Sequence, residues 1–213
     1  MKPIIRIANA QDWDAIARLN HDTFALELGQ YTPNEQGRLI DRQHETNLYI
    51  VAYVQDELAG MLSITLPSTA PFSTLKRMAV VSEEMQRNLP KTAEIRLLAV
   101  KPAQRGQGLF AHLMLAAIKT CYQHGIDRVL ISAIANRVET YAFMGFQAIA
   151  EPVVEGKAVY VPMIITRQTL EASPYSQKLA QLDRGSGQAR YGATPFSAYS
   201  KKPAQLASVR EPA

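Results

Sequence analysis

The sequence has little of what several protein classes require. Cys121 is its single cysteine, so neither a disulfide within the chain nor a cysteine-rich metal site is possible. No stretch reaches the ~18 consecutive apolar residues of a membrane-spanning helix, and the first residues lack the apolar core of a secretory signal. From these absences we expect a cytoplasmic protein that does not span a membrane.

Histidines are also few, and they are spread along the chain without the spacing of metal ligands. We expect most of them to be solvated or capping residues, and we expect no metal site. The four are His21, His44, His112 and His124.

An excess of charge of one sign is missing from most of the chain. The net charge of +4 comes entirely from residues 167–213, which hold seven Lys or Arg and three acids, whereas residues 1–166 hold 16 of each sign. A basic face for nucleic acid therefore has little support. Residues 167–213 are also rich in Ser, Gly, Gln, Ala and Pro. We expect them to be an extended or disordered tail, with one short helix near residues 176–182, after a single folded domain of residues 1–166.

Two common phosphate-binding motifs are absent as well, namely GxxxxGK[ST] and GxGxxG with a later acidic residue. Residues 94–125 nevertheless have the order strand, glycine-containing turn, helix. The apolar run that ends with Val100 is stopped by Pro102, and an apolar helical pattern follows the turn. Such a turn offers partly positive backbone N–H groups to a pyrophosphate, and Arg105 adds a full charge. The alternative is a strand-to-helix turn whose glycines serve packing only.

The rest of the chain alternates strand and helix patterns. Apolar or alternating runs predict strands at residues 3–8, 48–54, 58–66, 94–100, 128–134, 147–150 and 158–165. Helices are predicted within residues 9–28, 82–89 and 138–144, and from the glycine-containing turn to residue 125. This order, with an early hairpin, indicates an α/β or α+β sheet domain. The long connection of residues 67–93 is typical of a lid or substrate-binding segment.

Two motifs in this order resemble the GNAT N-acyltransferase superfamily. The first is Arg105-Gly106-Gln107-Gly108-Leu109-Phe110 after the Val-x-Pro strand end, with Phe110 where the family has a small residue. The second is Tyr141-Ala142-Phe143-Met144-Gly145-Phe146. The resemblance covers most of residues 3–165. It implies a GNAT fold, a mixed and mostly antiparallel sheet flanked by helices, in which two central parallel strands splay apart and hold an acyl thioester in the gap.

The resemblance also implies which residues bind the donor. Backbone groups of Leu98, Ala99 and Val100 are expected to pair with the pantetheine arm of acetyl-CoA or another acyl-CoA. The backbone amides of residues 105–110 are expected to hold the pyrophosphate, and Asn136 to touch the pantetheine.

Two side chains are assigned chemistry by the same resemblance. Glu94 occupies the strand position where some members keep a general base, which takes a proton from the acceptor amine. Tyr141 matches the position that commonly protonates the departing thiolate, and no covalent enzyme intermediate is required. Other interpretations are open: Glu94 as a surface partner of Arg96 or a strand-end charge, and Tyr141 as a core aromatic beside Phe143 and Phe146.

A narrower resemblance concerns the strand at residues 48–53, the segment 66–72 and the strand that begins at Glu94. These stretches are similar to N-acyl-homoserine-lactone synthases and long-chain N-acyl amino acid synthases, which take acyl chains from acyl-carrier protein. In those enzymes the Leu-Pro-x-Thr insertion helps to shape the acyl and acceptor pockets. Lactone synthases keep an acidic cluster before the second strand and an Arg ahead of Leu-Pro. Here residues 41–45 and Ile64 stand at those places, which argues against homoserine lactone synthesis.

The sequence therefore predicts an N-acyltransferase that moves an acyl group, acetyl in the first place, from acyl-CoA to a small primary amine. The alternative within this class is an acyl-carrier-protein-dependent N-acyl amino acid or specialised-metabolite synthase. From other classes, a non-catalytic module that senses acyl-CoA or docks a partner, and a nucleic-acid-associated protein, remain as rivals. The acceptor amine, the acyl length and the oligomeric state, including a homodimer, are left open.

Overall fold

A single twisted sheet organises the structure, a computed structural model that describes residues 2–67, 69, 71–186 and 191–192. Within these residues the sheet has nine strands in the order β6-β8-β5-β4-β3-β2-β1-β9, and β7 also pairs with β8. The strands are β1 Ile4–Ile7, β2 Leu48–Val54, β3 Glu57–Thr65, β4 Thr92–Val100, β5 Arg128–Ile134, β6 Gln147–Ala148, β7 Val153–Glu155, β8 Ala158–Thr166 and β9 Tyr191–Gly192. Only the β4–β5 and β1–β9 pairs among them are parallel.

Helices cover both faces of this sheet. They are α1 Trp13–Asn20, which a π-helical segment His21–Glu27 continues, α2 Ser73–Lys76, α3 Glu83–Asn88, α4 Leu109–Gln123, α5 Val138–Phe143, α6 Arg167–Ala172 and α7 Tyr175–Ser186. No helix in the described part of the chain is long and apolar enough to cross a membrane.

Side-chain alternation along the strands divides the buried residues between the two faces. In β4, Ala93 and Ile95 belong to the larger core, which α4 covers with its own buried side chains. Glu94 and Arg96 therefore point to the opposite face, where α1 packs over Tyr49 of β2 and neighbouring strand residues. A third, smaller cluster joins the segment around α2 and α3 to β5 and β8 on that same face.

The central parallel strands pair only at one end. β4 and β5 are paired through Thr92–Glu94 and Arg128–Leu130. Beyond this point β4 continues along β3 as far as Val100, whereas β5 continues along β8 as far as Ile134. A gap therefore opens between the two strands, and the splayed pair expected from the sequence is confirmed.

A β-bulge marks the β4 side of this gap. Leu97 has a φ of 53°, and the register between β3 and β4 shifts between Met61 and Ser63. A left-handed conformation at a non-glycine residue costs energy, and bulges of this kind often re-aim strand residues beside functional sites. The bulge turns the β4 backbone at the point where it leaves β5.

The predicted strands and helices occur at nearly the predicted positions, with α2 and β7 as additional elements. The segment after residue 166 differs from expectation, because residues 167–186 form α6 and α7 rather than an extended tail. Thr166 caps α6, and Leu170, Tyr175 and Leu179 are buried in the larger core, so a few well-spaced apolar residues are enough to dock both helices. The short helix predicted at residues 176–182 lies within α7.

We therefore propose that the folded domain extends beyond residue 166, to residue 186 at least. Residues 187–190 and 193–213 of the predicted tail lie outside the described residues.

Candidate active site

The glycine turn, residues 105–110, joins the end of β4 to α4. Gly106 and Gly108 have φ values of 78° and 81°, a conformation that favours glycine, and a Cβ at either position would meet nothing within 4 Å. The interpretation that these glycines serve only packing is therefore wrong. Gly108 caps α4, so the N–H groups of the first helical turn adjoin an exposed, open loop.

Arg105 is held by a carboxylate from another part of the chain. Its Nη1 and Nη2 donate to the two carboxylate oxygens of Glu27 at 2.7 and 2.6 Å, and its Nε donates to the Val100 carbonyl at 2.9 Å. The hydrogen-bonded pair raises the pKa of Arg105 and lowers the pKa of Glu27. Glu27 ends the π-helical segment after α1, so the cation expected to serve a pyrophosphate is balanced by a local acid.

Tyr141 lies beside the glycine turn in an aromatic cluster. Its ring centroid is 6.0 Å from that of Phe110 and 5.6 Å from that of Phe146, both in edge-on geometry. Burial raises the pKa of the phenol to about 12, although Arg137 acts in the opposite direction. The ring is partly buried and packs against the larger core. Of the two neighbours in the alternative interpretation, Phe146 is in contact, whereas Phe143 packs on Tyr175. A phenol with this pKa keeps its proton at neutral pH, so the acid role stays a prediction.

The remaining donor-side residues line or flank the gap. Leu98, Ala99 and Val100 form the end of β4 beyond its pairing with β5. Asn136 lies in the short 3-10 turn after β5 and is exposed. The structure brings this end of β4 and the glycine turn together, and the expected contacts of all these residues with a donor remain predictions.

Glu94 is fully buried on the other face of the sheet. Its Oε2 accepts from the Ser73 backbone N–H at 2.8 Å, and its Oε1 accepts from the Ser73 hydroxyl at 2.9 Å and the Thr74 N–H at 2.5 Å. The carboxylate therefore holds the start of α2, where two otherwise unpaired helix N–H groups meet it. Glu94 is therefore neither a surface charge nor a free strand-end charge, although it does lie 3.9 Å from Arg96, the partner that the alternative interpretation named.

Arg96 anchors a second carboxylate next to Glu94. Its Nη1 lies 3.0 and 2.9 Å from the oxygens of Asp41, and its Nε lies 3.9 Å from Glu94. Asn47 donates to Asp41 at 2.8 Å, and Thr65 donates to Asn47 at 2.7 Å. The position that breaks the apolar run of β4 is thus satisfied by a buried polar network.

A second arginine, Arg77, reaches the same face from the end of α2. Its Nε and Nη2 donate to the two oxygens of Glu155 on β7, and its Nη1 lies 3.5 Å from the Ser132 hydroxyl on β5. Ser132 lies two residues beyond the last β4–β5 pair, at the opening of the gap. We call the set of Arg77, Glu94, Arg96, Ser132 and Glu155 the charged cluster.

Sequence reasoning missed most of this cluster. Arg77, Ser132 and Glu155 come from three segments far apart in the chain, and none belongs to a recognisable motif. Two signals were present: Arg96 interrupts an apolar strand, and the connection of residues 67–93 is unusually long. The expectation for the histidines is also incomplete, because His21 is buried and accepts a hydrogen bond from the Asn34 backbone.

An apolar cavity that is open to solvent lies beside α2, the helix whose start is held by Glu94. It has a volume of about 600 Å³ and is lined by Pro67, Pro71, Phe72, Leu75, Lys76, Leu89 and Pro90. Phe72 directly precedes Ser73, which binds Glu94. A cavity of this size and lining is suited to an apolar group of several carbon atoms.

The gap therefore connects two different surroundings. Tyr141 and the start of α4 pack against the larger core, and the charged cluster and the cavity lie on the opposite face. Arg105 of the glycine turn reaches Glu27, which follows α1 on that opposite face. This arrangement suits the transfer of an acyl group between two substrates that meet at the gap.

Comparison with known proteins shows the family and the fold to which this site belongs. Residues 15–167 match the family model described as "N-acyl amino acid synthase FeeM". A search of curated protein sequences found no match.

Three solved structures with the same fold are compared below, and in each the match covers nearly the whole length of the solved chain. FeeM, an N-acyl amino acid synthase from uncultured soil microbes, has a TM-score of 0.66 at 18% identity, over 83% of this chain and 98% of its own. BjaI, a CoA-dependent acyl-homoserine lactone synthase solved with SAM and isopentyl-CoA, has a TM-score of 0.66 at 19% identity, over 93% and 98%. An acyl-CoA N-acyltransferase from Pseudomonas aeruginosa has a TM-score of 0.55 at 19% identity, over 78% and 99%. The GNAT-type fold expected from the sequence is confirmed.

Proposed function

Because the chain belongs to the FeeM family of N-acyl amino acid synthases, we propose that it transfers an acyl chain longer than acetyl to the amino group of an amino acid. Family membership makes the chain an enzyme, an N-acyltransferase that draws on a thioester donor. Nothing in the family match supports the first expectation of acetyl transfer. The sequence-based alternative, an N-acyl amino acid synthase, is the better reading.

The observation that supports an acyl chain longer than acetyl is the apolar cavity beside α2. An acetyl group would leave about 600 Å³ of apolar space unused. A chain of several methylene groups gains ~0.8 kcal/mol for each CH₂ that it buries. α2 carries Leu75 of the cavity lining and also Ser73, which binds Glu94, so one short helix adjoins both the cavity and the charged cluster.

Two features of the glycine turn favour one type of acyl carrier over another. The Arg105 charge is balanced by Glu27, and Phe110 fills the position of a small residue with an aromatic ring. Both features suit a phosphopantetheine attached to acyl-carrier protein better than the larger, more highly charged coenzyme A. Acyl-CoA is the alternative donor. In either case the pantetheine arm lies along Leu98–Val100.

The proposed chemistry uses the two faces of the gap. The ammonium group of the acceptor first loses one proton to solvent. The neutral amine nitrogen then attacks the thioester carbon, the C–S bond breaks, and the thiolate takes the phenolic proton of Tyr141, which the solvent then replaces. The oxygens of Glu94 already accept three hydrogen bonds, one of them from the Ser73 hydroxyl. The amine proton therefore passes to the Ser73 oxygen while the Ser73 proton passes to Glu94. In this scheme Ser73 is the relay, and Glu94 holds the proton until it passes to solvent, back through Ser73, after the product leaves.

A donor panel tests the proposal. The purified protein is incubated with a mixture of L-amino acids and, in turn, acetyl-CoA, dodecanoyl-CoA or dodecanoyl-loaded acyl-carrier protein, and products are identified by mass spectrometry. We expect N-dodecanoyl amino acids, with the higher kcat/KM for the carrier-protein donor. A higher kcat/KM for acetyl-CoA than for either dodecanoyl donor would contradict the proposal.

The role of the cavity is tested by filling it. In Leu75→Trp the larger ring occupies the cavity, so we expect the kcat/KM ratio of dodecanoyl to butanoyl donors to fall by about tenfold or more, the value of a few buried methylene groups. Val80→Trp is the matched control, since Val80 lies in the same connection and is 78% exposed. If Leu75→Trp instead changes which amino acid is accepted, with the same preference for donor length, the cavity holds the acceptor side chain.

A further inference from the structure

The guanidinium of Arg77 is held in one orientation by its hydrogen bonds. The side chain is 17% exposed, and its guanidinium has five N–H donors. Two of them bind Glu155 side-on through Nε and Nη2, and Nη1 approaches Ser132 at 3.5 Å, the limit of a hydrogen bond. This geometry leaves the outer edge of the guanidinium, formed by Nη1 and Nη2, directed away from Glu155. That edge is the fork which binds a carboxylate with two parallel hydrogen bonds.

Glu155 is itself fixed from the other side. Gln30 donates to its Oε2 at 2.7 Å, and the Tyr160 hydroxyl donates to the Gln30 carbonyl oxygen at 2.7 Å. The neighbouring Gly156 packs so closely against the chain at Gly29 that a Cβ there would overlap the Gly29 carbonyl oxygen. The ion pair is therefore one part of a rigid connection, and Arg77 cannot turn freely to another partner.

The charged cluster offers both a negative and a positive group, as the binding of a zwitterion requires. Two arginines face three carboxylates here: Glu155 pairs with Arg77, Asp41 pairs with Arg96, and the Arg96 Nε also lies 3.9 Å from Glu94, so one negative charge is in excess. Glu94 therefore offers negative charge to an ammonium group, and the outer edge of Arg77 offers donors to a carboxylate. Ser132 lies next to Arg77 and, through Thr74 at 2.9 Å, next to the segment that binds Glu94. The α-amino and α-carboxylate groups of an amino acid have this same polarity at short separation.

We propose that Arg77 binds the α-carboxylate of the acceptor amino acid, with Glu155 as the residue that positions its guanidinium. This proposal rests on the proposed function, because it requires an amino acid acceptor. The incoming carboxylate takes the weak 3.5 Å contact of Nη1 away from Ser132 and leaves the bond to Glu155 in place. Selection for an amino acid over a simple amine then follows from this one side chain.

The test compares each accepted L-amino acid with its α-amide, which keeps the amine and the side chain but lacks the negative charge. We expect the wild-type enzyme to prefer the free acid, and Arg77→Met to reduce the acid-to-amide ratio of kcat/KM by roughly 10- to 100-fold, the range for loss of a hydrogen bond to a charged group. Glu155→Gln should reduce the same ratio by a smaller factor, through KM for the acid. Arg128→Met is the matched control, because Arg128 is also partly buried and pairs with Glu84 away from the gap.

The possible failures are separable. If the wild type acylates no amino acid and no amide with any donor, the proposed function fails. If the wild type is active but treats acid and amide alike, or if Arg77→Met lowers both equally while it remains folded, the Arg77 proposal fails and the function stands. If Arg77→Met does not fold, Glu155→Gln decides: an unchanged acid-to-amide ratio in that variant overturns the proposal.

Discussion

The glycine turn and the charged cluster both adjoin the gap between β4 and β5, and they are built in contrasting ways. The glycine turn is six consecutive residues, it is largely exposed, and the groups that we expect to bind the donor are its backbone amides. The charged cluster draws side chains from α2, β4, β5 and β7, and the buried Glu94 in it is held by several hydrogen bonds. A thioester carrier shared by many enzymes can be bound by a local loop, whereas a particular acceptor needs groups placed by the whole fold.

Substitutions in the two regions should therefore have different effects on stability and on activity. In the charged cluster, a buried polar group that loses its partner affects stability and activity together. In the glycine turn, side chains on the surface affect donor binding with little effect on folding. The three predictions below test this contrast, and the largest expected effect comes first.

Glu94→Gln should have the largest effect. The substitution replaces a carboxylate oxygen by an NH₂ group, which faces a backbone N–H donor at Ser73 or Thr74. It also removes the proton acceptor, so we expect kcat to fall by roughly 10²- to 10⁴-fold. The free energy of unfolding should fall by about 1–3 kcal/mol. Steady-state kinetics and urea unfolding measure the two effects. Glu84→Gln, at an exposed acid, is the control, and wild-type activity in a folded Glu94→Gln protein would remove Glu94 from the mechanism.

Tyr141→Phe should have an intermediate effect that is confined to kcat. The ring keeps its packing on Phe110 and Phe146, and only the proton donor is lost, so we expect kcat to fall by roughly 10²-fold. The control is Tyr122→Phe at the far end of α4, where Tyr122 is 39% exposed.

The pH profile gives a second check on Tyr141. Its pKa in the folded protein is raised to about 12, so the phenol holds its proton through the neutral range. Loss of activity from its ionisation should therefore appear only as the pH approaches 12. The opposite result would be a loss of wild-type activity near pH 10 that is absent in Tyr141→Phe. It would mean that burial does not raise the pKa of the Tyr141 phenol.

Glu27→Gln should have the smallest effect. An exposed ion pair of this kind contributes about 0–1 kcal/mol, so the melting temperature should change little. The uncompensated Arg105 charge should lower KM for dodecanoyl-CoA by a few-fold, with a smaller change for the carrier-protein donor. Glu57→Gln, next to Lys101, is the control. An increase in KM for acyl-CoA in Glu27→Gln would indicate that Glu27 orients Arg105 for the donor instead of neutralising it.

The fold and half of the site were predictable from the sequence. Apolar alternation placed the strands. The Val100-x-Pro102 end with the glycines, and separately the motif that begins at Tyr141, indicated the expected donor side, because each of these signals is a short run of residues. The role of residues 167–186 was missed because Leu170, Tyr175 and Leu179 are sparse in a polar segment, and only docking on the sheet gives them a buried face.

The sequence by itself determined the order of strands and helices, the left-handed glycines of the turn and an N-acyltransferase of GNAT type. The tertiary structure alone decided that Glu94 is buried against α2, that Arg105 is paired with Glu27, and that Arg77, Ser132 and Glu155 meet at the gap. The physical reason is the range of the interactions. Backbone conformation and apolar periodicity act over a few residues, whereas a buried charge is positioned by partners that only the folded sheet brings within hydrogen-bonding distance.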